Sequence, residues 1–329
     1  MTDLVSLGRI DATPAAPPTV RCVPSGTATE PADQPGLTSL SLAALCGVDA
    51  FRVGHRCSMV SMPPGTTQDL LAQRLGDVDL AALRRGLATR RAQHMSDRGQ
   101  LVRRALHRVA WGDDCVAALP SPAEAAAITD QQIIAHARGA MELIRAGTHP
   151  GQCPDTLPWR GGLYYGSRNQ ARLAVGIQLP WPAGEMGTES ALITATYLGR
   201  VGAPGTLVQA LARRQVPYYA AAVLPLEEHG TPCLTLGLST VADHVVALVE
   251  TVRHELRRMR DSGVPSRRLP YLRDSAKLYA AIHPSDDLFQ HRTTGTPGPP
   301  AGSPAPAVAV IGQLPDTTLT QLREAVREW

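Results

Sequence analysis

The sequence contains no Cys-x-x-Cys pair, no apolar run approaching eighteen residues and little surplus of charge. Its six cysteines, Cys22, Cys46, Cys57, Cys115, Cys153 and Cys233, are scattered, which excludes a zinc ribbon or a disulfide framework. Without a long apolar run there is no candidate membrane span. The opening residues, MTDLVSLGRIDATPAAPP, also lack the basic start and apolar core of a secretory signal. A soluble, cytoplasmic protein is expected. The formal net charge of +3 over 329 residues is too small to mark a nucleic-acid partner. Lysine is almost absent: Lys277 is the only one, while arginine is abundant, a bias that reads as codon usage in a high-GC bacterial genome rather than as a phosphate-binding device. No G-x-S-x-G elbow is present, so a Ser/His/Asp hydrolase of the α/β type is discounted.

A hydrophobic content of 43% leaves enough apolar surface for two domains with their own cores. The Gly/Pro-rich stretch AGTHPGQCPDTL, residues 146–157, reads as a linker between a first half, residues 1–150, and a second half, residues 151–329. Residues 1–18 carry no sustained pattern. Residues 47–68 alternate as one or two strands ending at Pro63-Pro64-Gly65. A helix over residues 79–94 sets Leu80, Leu83 and Leu87 on one face and Arg84, Arg85, Arg90 and Arg91 on others. These arginines read as a solvated face, or alternatively as a grip on an acidic peptide. Asp97 caps a second helix whose buried face is Leu101, Val102, Ala105, Leu106 and Val109. Residues 120–124 form a loop, and Ile128-Thr129-Asp130 opens a helix running past Ile144.

In the second half, residues 161–166 and 170–179 are β-rich. In the latter, Leu173, Val175, Ile177 and Leu179 form an apolar face and Arg172, Ala174, Gly176 and Gln178 a polar one. Residues 190–269 then read, in order, as a helix, a Gly-rich loop (Gly199, Gly202, Gly205), a helix over residues 206–214, a strand pair with a polar turn at Glu228-His229-Gly230, and a long helix closed by Gly263 and Pro265. A helix over residues 271–281, a short segment at 286–289, a Gly/Pro tract at 293–306, a strand at 307–312 and a helix at 316–329 complete the chain.

This order resembles the second half of an insulinase or pitrilysin-type zinc metallopeptidase subunit. The features that carry it are the glycine loop, the Leu/Arg-rich helix end running into a Tyr-bearing strand, and the GVPSRRL after the long helix. Earlier in the chain, Glu30-Pro31 and Gly36-Leu37 are similar to that family's approach to its zinc helix, G-x-x-x-E-P and then G-L-A-H-x-x-E-H. The resemblance spans residues 26–269. It implies an α+β fold of two similar halves, each an antiparallel sheet covered on one face by helices, with a cleft between them. The chemistry departs from the family. Laid on its motif, the first histidine becomes Ser39, the glutamate Leu42 and the second histidine Ala43. Leucine and alanine offer neither a metal ligand nor a proton acceptor. Glu227-Glu228-His229 follows Pro225, and His254-Glu255 meets Arg258 where a histidine is needed; both read as solvated polar residues. His55 reads as structural or exposed, and His149 with Cys153 as a weak metal suggestion. The resemblance therefore implies no metal held by this chain, with zinc in a companion subunit that keeps H-x-x-E-H.

In such peptidases an arginine and a tyrosine from the zinc-less half bind substrate carbonyls. The positions matching them here are Arg213 or Arg214 and Tyr218 or Tyr219. With Tyr219 in register, the arginine position falls on Ala212, one residue or about 100° of helix away from Arg213. Two functions follow. One is the non-zinc subunit of a heterodimeric metallopeptidase that processes a peptide, such as a ribosomally made precursor, bound as an added strand. The other is a non-catalytic pseudopeptidase acting as a homodimeric peptide-binding or scaffold protein.

Overall fold

The computed structural model describes residues 19–54, 57–112, 119–146, 157–180, 188–199, 205–228, 231–282 and 305–329. The fold is α+β, with two sheets and their helices. The segments at 1–18, 147–156, 229–230 and 283–304, which take in the N-terminal residues, the linker with His149 and Cys153, the polar turn and the second Gly/Pro tract, lie outside the described residues, as does His55.

The first unit is built around a helix, α1 (Leu37–Cys46), whose residues from Leu37 to Leu45 are all buried. Its sequence, LTSLSLAALC, has no charged side chain to set a wet face, so it is apolar or small all round and takes the centre of a core. Around it lie β1 (Thr19–Val23), β2 (Phe51–Val53) and β3 (Ser58–Met62), an antiparallel sheet of order β1-β3-β2. The helices α2 (Gln68–Asp77), α3 (Leu80–Ser96) and α6 (Asp130–Ala146) complete the enclosure. Residues 120–124, expected as a loop, start a short helix, α5 (Pro122–Ala127). Ser121 and Glu124 form a reciprocal capping box there, with proline at the first turn. Three of the four α3 arginines are not a solvated face, while Arg85 is exposed. Arg84 donates to the carbonyls of Ala125 and Ile128 and pairs with Asp130, Arg90 donates to Val48 and Phe51, and Arg91 to Leu119. They tie α3 to backbone carbonyls of the neighbouring segments.

The second unit is a five-stranded sheet of order β4-β8-β5-β7-β6. Its strands are β4 (Gly162–Ser167), β5 (Leu173–Pro180), β6 (Ala220–Glu228), β7 (Thr231–Thr240) and β8 (Ala307–Gly312). The C-terminal strand β8 inserts between β4 and β5, parallel to the former and antiparallel to the latter; every other pair is antiparallel. One face carries α7 (Thr188–Gly199), α8 (Thr206–Arg213), α9 (Val245–Ser262), α10 (Leu269–Ile282) and α11 (Asp316–Arg327), over a core that includes Leu173, Val175, Ile177, Val249 and Leu322.

The other face of this sheet differs from the expectation of a polar surface. The helix α4 (Arg98–Trp111), capped by Asp97, leaves α3 and lies across β4, β5 and β8, packing Val102, Ala105 and Leu106 on Ala307, Ala309 and Ile311. Gln178 is 1% exposed and Gly176 is buried beneath the helix. Trp111 closes the end of this layer, edge-on to Trp159 at 5.3 Å. A helix drawn from the first half of the sequence thus seals the second sheet, and the two units share this packing.

Candidate functional site

Residues Gly26 to Gly36 shape the entry to α1. The Glu30 carboxylate accepts from the Gly36 N–H at 2.9 Å and the Thr38 N–H at 2.8 Å, so a negative charge closes the positive end of the helix. Gly36 holds φ 91°, and a Cβ there would sit 2.5 Å from the Pro120 ring, so this turn needs glycine on two counts. The Glu30-Pro31 and Gly36-Leu37 steps noted in the sequence are therefore a capping device.

Ser39, Leu42 and Ala43 lie on α1 at 3%, 0% and 3% exposure. Leu42 and Ala43 belong to the first core, with Leu40, Leu45, Leu87 and Ile133. The stripe offers one hydroxyl and two alkyl groups, a set that does not fit a zinc ion or its general base. Among the described residues no group of three His, Cys, Asp or Glu side chains is placed to hold a metal. Ala43 and Cys46 border an open groove of about 660 Å³ between the C-terminal end of α1 and α2, with Pro63, Leu70, Arg74 and Asp77 on its walls. Burial pushes the Cys46 thiol up to about 11 against the opposing charge of Arg74, so it stands as a neutral thiol and not as a nucleophile. His136 on α6 is likewise held below its ordinary range by burial, with Glu30 acting against that shift.

The second set of candidates lies at one end of the second sheet. α8 stops at Arg213, and Gln215 takes a left-handed φ of 55° to turn the chain. Thr240 Oγ1 then donates to the Pro217 carbonyl at 2.6 Å and fixes the approach to β6. Arg213 and Arg214 are exposed. Tyr218 packs against the second core, whereas Tyr219 keeps 52% of its surface open. The cation on the Tyr219 ring is Arg172, at 4.0 Å from the centroid, and neither Arg213 nor Arg214 shares that contact. Arg172 was legible only as one polar position of β5, because its meeting with Tyr219 depends on β5 and β6 reaching the same sheet end across β7. Glu255, expected to be solvated, is 3% exposed and takes two bonds from Arg258 on its Oε2 atom, at 3.1 and 2.7 Å. Bonds to Glu255 and Tyr197 raise the Arg258 guanidinium further, so this half-exposed side chain ties α9 to Tyr197 of α7.

No protein-family model and no curated sequence matches the chain. Solved structures do resemble it in fold. A chain of "Complex III2 from Candida albicans, Inz-5 bound" has a TM-score of 0.65 at 10% identity, covering 96% of this chain and 95% of that one. The peptidase M16 inactive domain from Pseudomonas fluorescens has a TM-score of 0.57 at 12% identity, covering 89% and 92%. The periplasmic protease PqqL from Escherichia coli has a TM-score of 0.52 at 11% identity; 94% of this chain matches 40% of that one. The fold therefore resembles that of these chains, one of them a peptidase M16 domain described as inactive. Among the described residues no helix is long and apolar enough to cross a membrane.

Proposed function

We propose that this chain is the zinc-less subunit of a two-chain metallopeptidase that processes a peptide in the cytoplasm. A companion with an intact H-x-x-E-H helix supplies the metal and the general base. This chain supplies a wall of the chamber and donors for the substrate backbone. The observation that carries the reading is α1: its fold context is that of M16 domains, while Ser39, Leu42 and Ala43 have been turned into core. Such a helix can hold architecture but cannot activate water.

At the end of the second sheet, Arg213 or Arg214 and Tyr219 can donate to peptide carbonyls. A guanidinium is charged at every working pH, and a phenol hydroxyl donates to an oxygen on which charge develops. Tyr219 is the better placed of the two tyrosines because its ring is open to a ligand and braced by Arg172. Cleavage of a ribosomally made precursor peptide by this chain, by a co-expressed H-x-x-E-H companion and by the two mixed tests the reading, with zinc measured in each. Cleavage only in the mixture, with zinc in the companion, is expected. No association and no gain in cleavage would refute it, leaving a homodimeric binding or scaffold protein.

A further inference from the structure

The sheet topology gathers four arginines along one rim. β4 ends at Ser167 and passes to Arg168, β5 starts just after Arg172, and β6 starts just after Tyr219. Ser167 pairs with Gly312, Leu173 with Thr240 and Ala220 with Ser239, so these termini lie side by side. The Thr240 bond to the Pro217 carbonyl draws the end of α8, with Arg213 and Arg214, to the same rim.

The guanidinium groups of Arg168, Arg172, Arg213 and Arg214 are exposed, and among the described residues none has a carboxylate within ion-pair distance. Several arginines elsewhere are committed. Arg84 and Arg90 hold carbonyls and carboxylates of the first unit, Arg253 pairs with Glu328, and Arg258 with Glu255. Among the described residues the only side-chain partner at the rim is the Tyr219 ring, which takes Arg172 by its face and leaves the guanidinium edge open. Two exposed carboxylates follow these strand ends, Asp243 just beyond β7 and Asp316 just beyond β8, and four arginines against two leave the rim net positive. Like charges held in a row raise the local potential and favour an anionic ligand. Strand spacing of about 4.8 Å spreads the row over a length that a short extended peptide covers at about 3.3 Å per residue.

We infer that this rim binds an acidic segment of an extended peptide, its carboxylates received by Arg168, Arg172, Arg213 and Arg214 beside Tyr219, an assignment that rests on the reading of the chain as a peptide-receiving subunit. It gives the substrate a charge class and makes Arg168 and Arg172 specificity-determining residues.

The test is fluorescence anisotropy on the full chain without a companion, using a labelled peptide with glutamate at alternate positions and its glutamine counterpart. The glutamate peptide is expected to bind and the glutamine peptide to bind at least about tenfold more weakly, with affinity falling as salt rises. Each single Arg→Gln change at the rim should weaken binding about threefold. The change of all four should weaken it on the order of fiftyfold, as exposed pairs worth up to about 1 kcal/mol allow. Arg85→Gln, an exposed arginine on α3, should leave binding unchanged. Equal affinity for the two peptides, or an Arg85→Gln loss as large as that of Arg172→Gln, would overturn the assignment. So would tighter binding of a single-stranded oligonucleotide or of anionic vesicles than of the glutamate peptide. Far-UV circular dichroism confirms that each variant is folded. A mixture with the companion that cleaves glutamate and glutamine substrates alike would refute only the acidic preference. Intact acidic binding with no cleavage in any mixture would refute only the two-chain peptidase.

Discussion

The contact between α4 and the second sheet predicts a specific coupling. A Cβ added at Gly176 would sit 2.4 Å from Val102 Cγ1 and 2.7 Å from Leu106 Cδ1. Both partners are buried, at 6% and 2% exposure. Val102 is β-branched and stiff in its helical rotamer, so the clash is relieved mainly by lifting α4. Gly176→Ala should therefore destabilise by about 1–3 kcal/mol, the usual cost of overpacking a core. Val102→Ala alone should cost about 1.5–3 kcal/mol from lost burial and the space it leaves. In the double variant the new methyl occupies that space, and the total should fall short of the sum by about 1–2 kcal/mol. Urea denaturation followed by far-UV circular dichroism and by tryptophan fluorescence measures this cycle. Trp111, at the end of α4 and edge-on to Trp159, lets the fluorescence report on the interface itself. A neutral Gly176→Ala, or strict additivity with Val102→Ala, would mean that α4 does not rest on β5.

Removing the α1 cap with Glu30→Ala should cost about 1–3 kcal/mol in urea denaturation, because two charge-assisted bonds and a favourable helix-end charge go together. Glu30→Gln should cost less, since one acceptor survives. Rebuilding the peptidase motif with Ser39→His, Leu42→Glu and Ala43→His should bind no zinc above background by elemental analysis and should destabilise the first unit by several kcal/mol. It puts a carboxylate where Leu42 is 0% exposed; stoichiometric zinc would refute the placement of α1 in the core. The depressed His136 also sets a pH dependence. Below the ordinary histidine pKa of about 6.5 the unfolded chain binds a proton that the folded chain resists, so stability should fall as pH drops from 7 towards 5. His136→Gln should flatten that slope in thermal melts, and an unchanged slope would assign it to other groups.

Local signals were legible where a residue type acts through its own backbone. Asp97 caps α4, Gly263 closes α9, and the alternation of Leu173, Val175 and Ile177 fixes the core face of β5. That Leu42 and Ala43 offer no ligand atom was legible as well, since it follows from residue identity in any context. The sequence misled wherever a side chain's partner lies far away in the chain. Arg84 and Arg91 read as solvated because their carbonyl partners at Leu119, Ala125 and Ile128 come a full helix later. Glu255 read as solvated because the spacing within α9 does not reveal how far the second core reaches around the helix.

Residue identity and local spacing alone dictated which segments are helix and strand over most of the second half, and that Leu42 and Ala43 bring no ligand atom to α1. Those properties depend on residue identity and on spacings of a few residues. Tertiary structure alone decided that β8 lies between β4 and β5, that α4 seals the second sheet, and that Arg172 meets Tyr219 at a rim shared with Arg168, Arg213 and Arg214. Apolar patterning tells a segment which face to bury but not which distant surface will cover it; that choice is made when the whole set of faces is packed at once.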